Sequence, residues 1–194
     1  MSGTFVAVVG PSGVGKDSLI GFARARLEPS GKVVFVRRVV TRPADGGSED
    51  HASMDESAFV AAEARGEFAL SWAAHGLRYG LPVALEADLK AGRAVVANLS
   101  RGMIPALLAR YPETLVVSVT AERDVIAQRL AQRGRETPES IQLRLDRSVG
   151  EGLRSGTVQI DNSGTLEVAG MQFVQLLSEV AGLSGDLVST AVAR

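Results

Sequence analysis

Cysteine is absent from the 194-residue chain, which excludes a disulfide framework and a thiolate metal site. Histidine occurs only as His51 and His75, without the paired spacing of a metal-ligating set, and neither is assigned a catalytic role. An excess of one charge is lacking too. The 21 Lys and Arg face 22 Asp and Glu, for a net charge of −1, so the basic stripe that a nucleic-acid binder presents to phosphates is missing. No apolar run reaches the roughly 18 residues of a membrane-spanning helix. The N-terminal MSGTFVAVVG lacks the charged, apolar, small-residue order of a signal peptide. Neither a nucleic acid nor a membrane is expected as a partner, and the expected location is the cytoplasm. Lysine is scarce, at Lys16, Lys32 and Lys90 only. The remaining cations are arginines, whose planar forks suit bidentate phosphate recognition better than an ammonium does.

What is present is a 45% hydrophobic chain, sufficient for the core of one domain. Thr4 to Val9 (TFVAVV) is a short, almost wholly apolar run ending at Gly10, as expected of a parallel strand buried on both faces. Four more strands are expected at Val33 to Val40, Ala94 to Ala97, Leu115 to Val119 and Thr157 to Ile160. Helices are expected at Asp17 to Leu27, Pro82 to Ala91, Met103 to Ala109, Arg123 to Arg133, Pro138 to Val149 and Leu166 to Leu177. This alternation predicts an α/β fold with a five-stranded parallel sheet flanked by helices. The domain is expected to span 1–181. Thr41 to Gly80 breaks the rhythm and reads as an inserted lobe, while 182–194 has little to bury and is expected to fray.

The stretch GPSGVGKDSL, from Gly10 to Leu19, carries the chemistry. Gly10, Pro11, Ser12, Gly13, Val14, Gly15, Lys16, Asp17 and Ser18 follow a buried strand and open a helix, the context that makes a Gly-x-x-x-x-Gly-Lys match a phosphate loop. Glycines let successive N–H groups converge on phosphate oxygens, the helix N-terminus adds partial positive charge, and Lys16 reaches the outer phosphates. The bland alternative is a Gly-rich turn with a surface lysine. Asp17 stands out because it puts a carboxylate where such loops usually offer a hydroxyl. It either stands beside Mg²⁺ or merely complements the helix dipole.

GPSGVGKDSL, VVTRP at Val39 to Pro43, GEFALSWAAHGLRYG at Gly66 to Gly80 and RLAQRGRE at Arg129 to Glu136 together resemble the guanylate kinase superfamily in order and spacing. Within it the chain is most similar to the ribose 1,5-bisphosphate phosphokinases of phosphonate catabolism, through its GKDS loop, its TRP and the stretch Asn98, Leu99, Ser100, Arg101. The resemblance covers the chain to about Leu177. It implies a P-loop kinase using ATP and Mg²⁺, with phosphorylated ribose as the small-molecule acceptor and 5-phosphoribosyl 1-diphosphate as product. It further implies an acceptor-binding lobe at 41–80 and an Arg-rich lid at 129–147.

The site residues implied are Arg38 (beside Arg37), Arg42, Tyr79, Asn98, Ser100 and Arg101 for the acceptor. Lys16 with the lid's Arg133, Arg135 and Arg144 (with Arg147 facing the same way) serves catalysis, Asn162 an adenine-contacting loop, and Asp17 the metal. Arg129, one turn before Arg133, joins the lid. Trp72 reads as buried.

Departures from guanylate kinase sharpen this reading. Acids that end the third strand there are replaced by Asn98 and Arg101, and the acid that helps hold guanine gives way to Leu70, Ser71 and Trp72. Lost carboxylate acceptors and added cation fit a smaller, doubly phosphorylated acceptor. Guanylate kinase activity, a non-catalytic binding module and a nucleotide-hydrolysing switch stay open as alternatives. So does oligomeric state, a homodimer included.

Overall fold

The computed structural model describes residues 3–42, 51–74, 76–132 and 156–183. Strand β1 (Phe5–Val9) is buried along its whole length. Its side chains alternate between two cores: Val6 and Val8 face one, Phe5, Ala7 and Val9 the other. A strand covered on both faces must be apolar at every position, which is why the run is continuous. The five-stranded sheet has the order β2-β7-β1-β8-β9, with β2 at Val33–Phe35, β7 at Ala94–Asn98, β8 at Thr114–Thr120 and β9 at Val158–Asp161. Every pairing in it is parallel, so all its carboxyl ends meet along one edge.

On one face lie α1 (Lys16–Leu27), α5 (Arg123–Gln132) and α6 (Leu166–Val180), packed through Leu19, Ala23, Ile126, Leu130, Phe173 and Leu177. On the other lie α3 (Leu85–Lys90) and α4 (Ile104–Arg110), through Leu85, Leu89 and Leu107. This second face also carries a four-stranded mixed sheet of order β4-β3-β6-β5, formed by β3 (Arg38–Val40), β4 (His51–Ser53), β5 (Phe68–Ala74) and β6 (Leu77–Pro82). Its Ala69 and Leu81 enter the central core. Helix α2 (Glu56–Ala64) is capped by Asp55, whose carboxylate accepts from Ala58 N–H. It covers the outer face of the small sheet, where Phe59 stacks on Phe68 at 4.5 Å.

One expected strand is two. Val33 to Val40 is divided into β2 in the large sheet and β3 in the small one, with Val36 and Arg37 as the crossover. Arg37 and Arg38 are therefore not alternating positions of a single ladder. Among the described residues no helix is long and apolar enough to cross a membrane.

Candidate active site

The carboxyl edge of the parallel sheet is where open α/β folds bind ligands. The chain leaves β1 through Gly10 and enters α1 at Lys16. Gly15 takes a left-handed conformation at φ +93° and no side chain caps the helix. The first-turn N–H groups of α1 are thus not covered by a capping side chain, the arrangement in which a helix start receives an anion. Gly13 sits at φ +85°, and a Cβ there would lie 2.8 Å from Leu130 Cγ. Close passage of the loop over α5 therefore requires glycine. Lys16 Nζ donates to the carbonyl oxygens of Gly10 and Pro11, both at 2.9 Å, which holds the ammonium over the loop.

Asp17 and Asn98 are 81 residues apart in sequence and meet here. Asn98 ends β7 in register with Val8 of β1 and is 8% exposed. Its Nδ2 donates to Asp17 Oδ1 at 2.6 Å. An amide at position 98 can donate to the carboxylate, whereas an ionised acid would repel it. Ser100 is exposed and Arg101 half-buried, and both lie in the turn that follows.

In the small sheet, Trp72 and Tyr79 are cross-strand partners on β5 and β6. Their rings stack at 5.3 Å with 9° between planes, and the Arg38 guanidinium lies 5.6 Å from the Tyr79 ring centre. Trp72 is half-buried and packs on the second core. Arg42 follows β3 and is half-buried. Ser71 faces the other way, donating to Glu63 Oε1 on α2, and Arg78 reaches Glu56 and Glu63 from the same side. Nothing in the sequence signals that network, because Glu56 and Glu63 lie on a helix whose stretch reads in the sequence as irregular lobe.

Asn162 lies just past β9, 2% exposed, and donates to the Val14 carbonyl at 2.8 Å. Arg129 Nη1 on α5 reaches the same oxygen at 3.4 Å, so Arg129 stands against the loop between β1 and α1. Arg133, Arg135, Arg144 and Arg147, with His75, lie outside the described residues. At the start of α2, hydrogen bonds from Ser57 and Ala58 hold the Asp55 carboxyl below the usual range. Hydrogen bonds from Arg110 and Tyr111 hold the Glu86 carboxyl below the usual range. Burial pushes the Tyr111 phenol up.

Among the described residues no group of three or more His, Cys, Asp or Glu side chains could hold a metal ion. Mg²⁺ bound with a nucleotide takes one or two carboxylates together with phosphates and water. Asp17, one oxygen of which accepts from Asn98, is a carboxylate at this edge that could take that part.

No protein-family model matches the chain. A ribose 1,5-bisphosphate phosphokinase from Chelativorans sp. (strain BNC1) is 50% identical over 94% of this chain and 88% of its own length. Another, from Brucella melitensis biotype 2 (strain ATCC 23457), is 47% identical over 92% of this chain and 94% of its own. Among solved structures, a guanylate kinase from Anaplasma phagocytophilum aligns over 96% of this chain and 89% of its own with a TM-score of 0.67. At 16% identity that likeness speaks for the fold alone.

Proposed function

The chain belongs to the ribose 1,5-bisphosphate phosphokinase family, and we propose that it transfers the γ-phosphoryl group of ATP to the 1-phosphate of ribose 1,5-bisphosphate, yielding 5-phosphoribosyl 1-diphosphate and ADP. The observation that carries the reading is the Asp17–Asn98 hydrogen bond at the carboxyl edge, beside a Lys16 ammonium held over the loop, in a chain half identical to a relative of that name.

Phosphoryl transfer demands positioning and charge neutralisation more than covalent chemistry from the protein. The N–H groups of Gly13 and Gly15 and the start of α1 receive the donor phosphates. Lys16 exchanges its loop carbonyls for phosphate oxygens. Asp17, with the phosphates and water, would hold Mg²⁺, which would supply charge neutralisation on the donor. Arg38 and Arg42, with Tyr79, serve the acceptor, and Ser100 and Arg101 add a hydroxyl and a cation beside it. Arg133, Arg135 and Arg144 serve the phosphoryl in flight. The acceptor oxygen of the 1-phosphate attacks the γ-phosphorus, the bond to the β-phosphate oxygen breaks, and that oxygen leaves on ADP.

Ser71, engaged by Glu63, offers no carboxylate to a purine ring, and the names of the relatives favour phosphorylated ribose over GMP. ADP release measured with ribose 1,5-bisphosphate, with GMP and with no acceptor tests the reading. The bisphosphate is expected to exceed GMP in kcat/KM by at least about tenfold, since each unpaired polar group in a desolvated site costs about 1–3 kcal/mol. Comparable GMP turnover, or ADP release that needs no acceptor, contradicts it.

A further inference from the structure

We propose that Asn162 is a positioning residue of the phosphate loop: its buried carboxamide, seconded by Arg129, fixes the Val14–Gly15 peptide and so aims the Gly15 N–H at the donor phosphates. The inference rests on the loop binding a nucleotide, as proposed above. Asn162 is not placed to present an edge to a base. It is 2% exposed, its own N–H is tied to Thr120 O at 2.8 Å, and its Nδ2 is directed under the loop to Val14 O at 2.8 Å.

The amide orientation follows from chemistry. Flipped, it would set two carbonyl oxygens against each other at the 2.8 Å now spanned by the Nδ2 hydrogen bond. Loop and side chain are also complementary in shape. Gly15 has φ +93°, and a Cβ there would collide with Asn162 Nδ2, so the carboxamide fills the space that the glycine leaves.

The mechanical link is the peptide plane. The chain has no cis peptide bonds among the described residues, and in a trans unit the C=O and the following N–H are rigidly opposed. A donor that pins the Val14 oxygen from below therefore fixes the direction of the Gly15 N–H above. Arg129 Nη1, at 3.4 Å from the same oxygen, is the longer and weaker second donor, brought by α5. Without these donors the plane is free to rotate, and the loop's N–H groups no longer converge on phosphate.

The test is calorimetric titration of folded wild type, Asn162→Ala and Arg129→Gln with MgATP and, separately, with Mg²⁺ and inorganic tripolyphosphate, which has no base. The wild type is expected to bind both. Asn162→Ala is expected to weaken both by the same factor, about tenfold for one lost buried hydrogen bond. Arg129→Gln should do the same by about two- to threefold, and the double variant should fall short of the product of the two, because they share an acceptor. Weaker MgATP binding with unchanged tripolyphosphate binding would make Asn162 a base contact and overturn the proposal. Unchanged affinity for both would overturn it as well. Should Asn162→Ala not fold, Arg129→Gln decides by the same criteria. A wild type that binds neither ligand overturns the nucleotide-site reading instead.

Discussion

Replacing Asn98 with Asp would turn the Asn98–Asp17 hydrogen bond into a confrontation of two carboxylates. The present Nδ2–Oδ1 separation is 2.6 Å. Two charges relaxed to about 3 Å repel by ~5.5 kcal/mol at an effective dielectric of 20 and by ~1.4 kcal/mol in bulk water. Because Asn98 is 8% exposed, the cost should fall between these limits, and one carboxyl should hold its proton to a higher pH than it would in the unfolded chain. The sign follows: a carboxyl with a raised folded-state pKa binds more protons in the native state, so the stability of the variant falls as pH rises from about 4 towards 7.

Asp17→Ser removes the carboxylate and should raise the Mg²⁺ concentration needed for half-maximal rate. Combining Asp17→Ser with Asn98→Asp places a hydroxyl at the helix start beside an acid at the strand end, and part of the lost activity should return. Coupling between groups in contact is about 0.5–3 kcal/mol, and the short bond argues for the upper half of that range, a non-additivity of roughly 30-fold. The assay is initial rate against Mg²⁺ for the wild type, both single variants and the double, with urea unfolding at about pH 4, near the unfolded carboxyl pKa, and at about pH 7. Additive effects with an unchanged Mg²⁺ requirement would reduce Asp17 to a helix-start residue and refute the reasoning.

Lys16→Ala should lower kcat by about 10²–10³, the scale for losing one preorganised charge at the reacting group; near-normal turnover by the folded variant would remove Lys16 from the chemistry. Gly13→Ala must accommodate both φ +85° and a Cβ 2.8 Å from Leu130 Cγ. It should destabilise the protein by about 2–4 kcal/mol in chemical denaturation, whereas no change would mean that the loop is not held against α5. Glu86→Gln should weaken the cluster in which Arg110 and Tyr111 donate to Glu86, costing about 1 kcal/mol at neutral pH. As Glu86 is held below its usual range, its contribution is present above the unfolded pKa and is lost as pH falls through the folded one, so variant and wild type should converge in acid. A gap that persists at low pH would contradict that assignment.

The large sheet was legible in the sequence because β1, β7 and β8 are buried along most of their length on both faces and read as mainly apolar runs, broken in β8 only by Ser118 between its flanking threonines and ended in β7 by Asn98. The same rule misled at Val33 to Val40. There two apolar runs are separated only by Arg37 and Arg38, with no Gly or Pro to mark the change of sheet between β2 and β3. Helix α2 escaped notice because its buried stripe is short, Phe59 and Ala62 only, and it faces a small sheet in place of the main core. The loop from Gly10 to Ser18 was plain from its glycines and lysine, and the pairing of Asp17 with Asn98 came within reach because both depart from the same superfamily pattern. Asn162 meeting Val14 across 148 residues left no local trace, since Asn-Ser-Gly is equally a good turn. Arg129 was legible only as a member of the lid through the resemblance; its contact with the Val14 carbonyl was not, because helical spacing says only which face a residue shares.

The most direct measurement of the central claim is the identity of the product. Phosphorus NMR of the protein with MgATP and ribose 1,5-bisphosphate should show the 1-phosphate signal replaced by a coupled pair of diphosphate resonances as ADP accumulates, with the 5-phosphate signal unchanged. An unaltered bisphosphate, accompanied either by conversion of added GMP to GDP or by plain release of inorganic phosphate from ATP, would contradict the account.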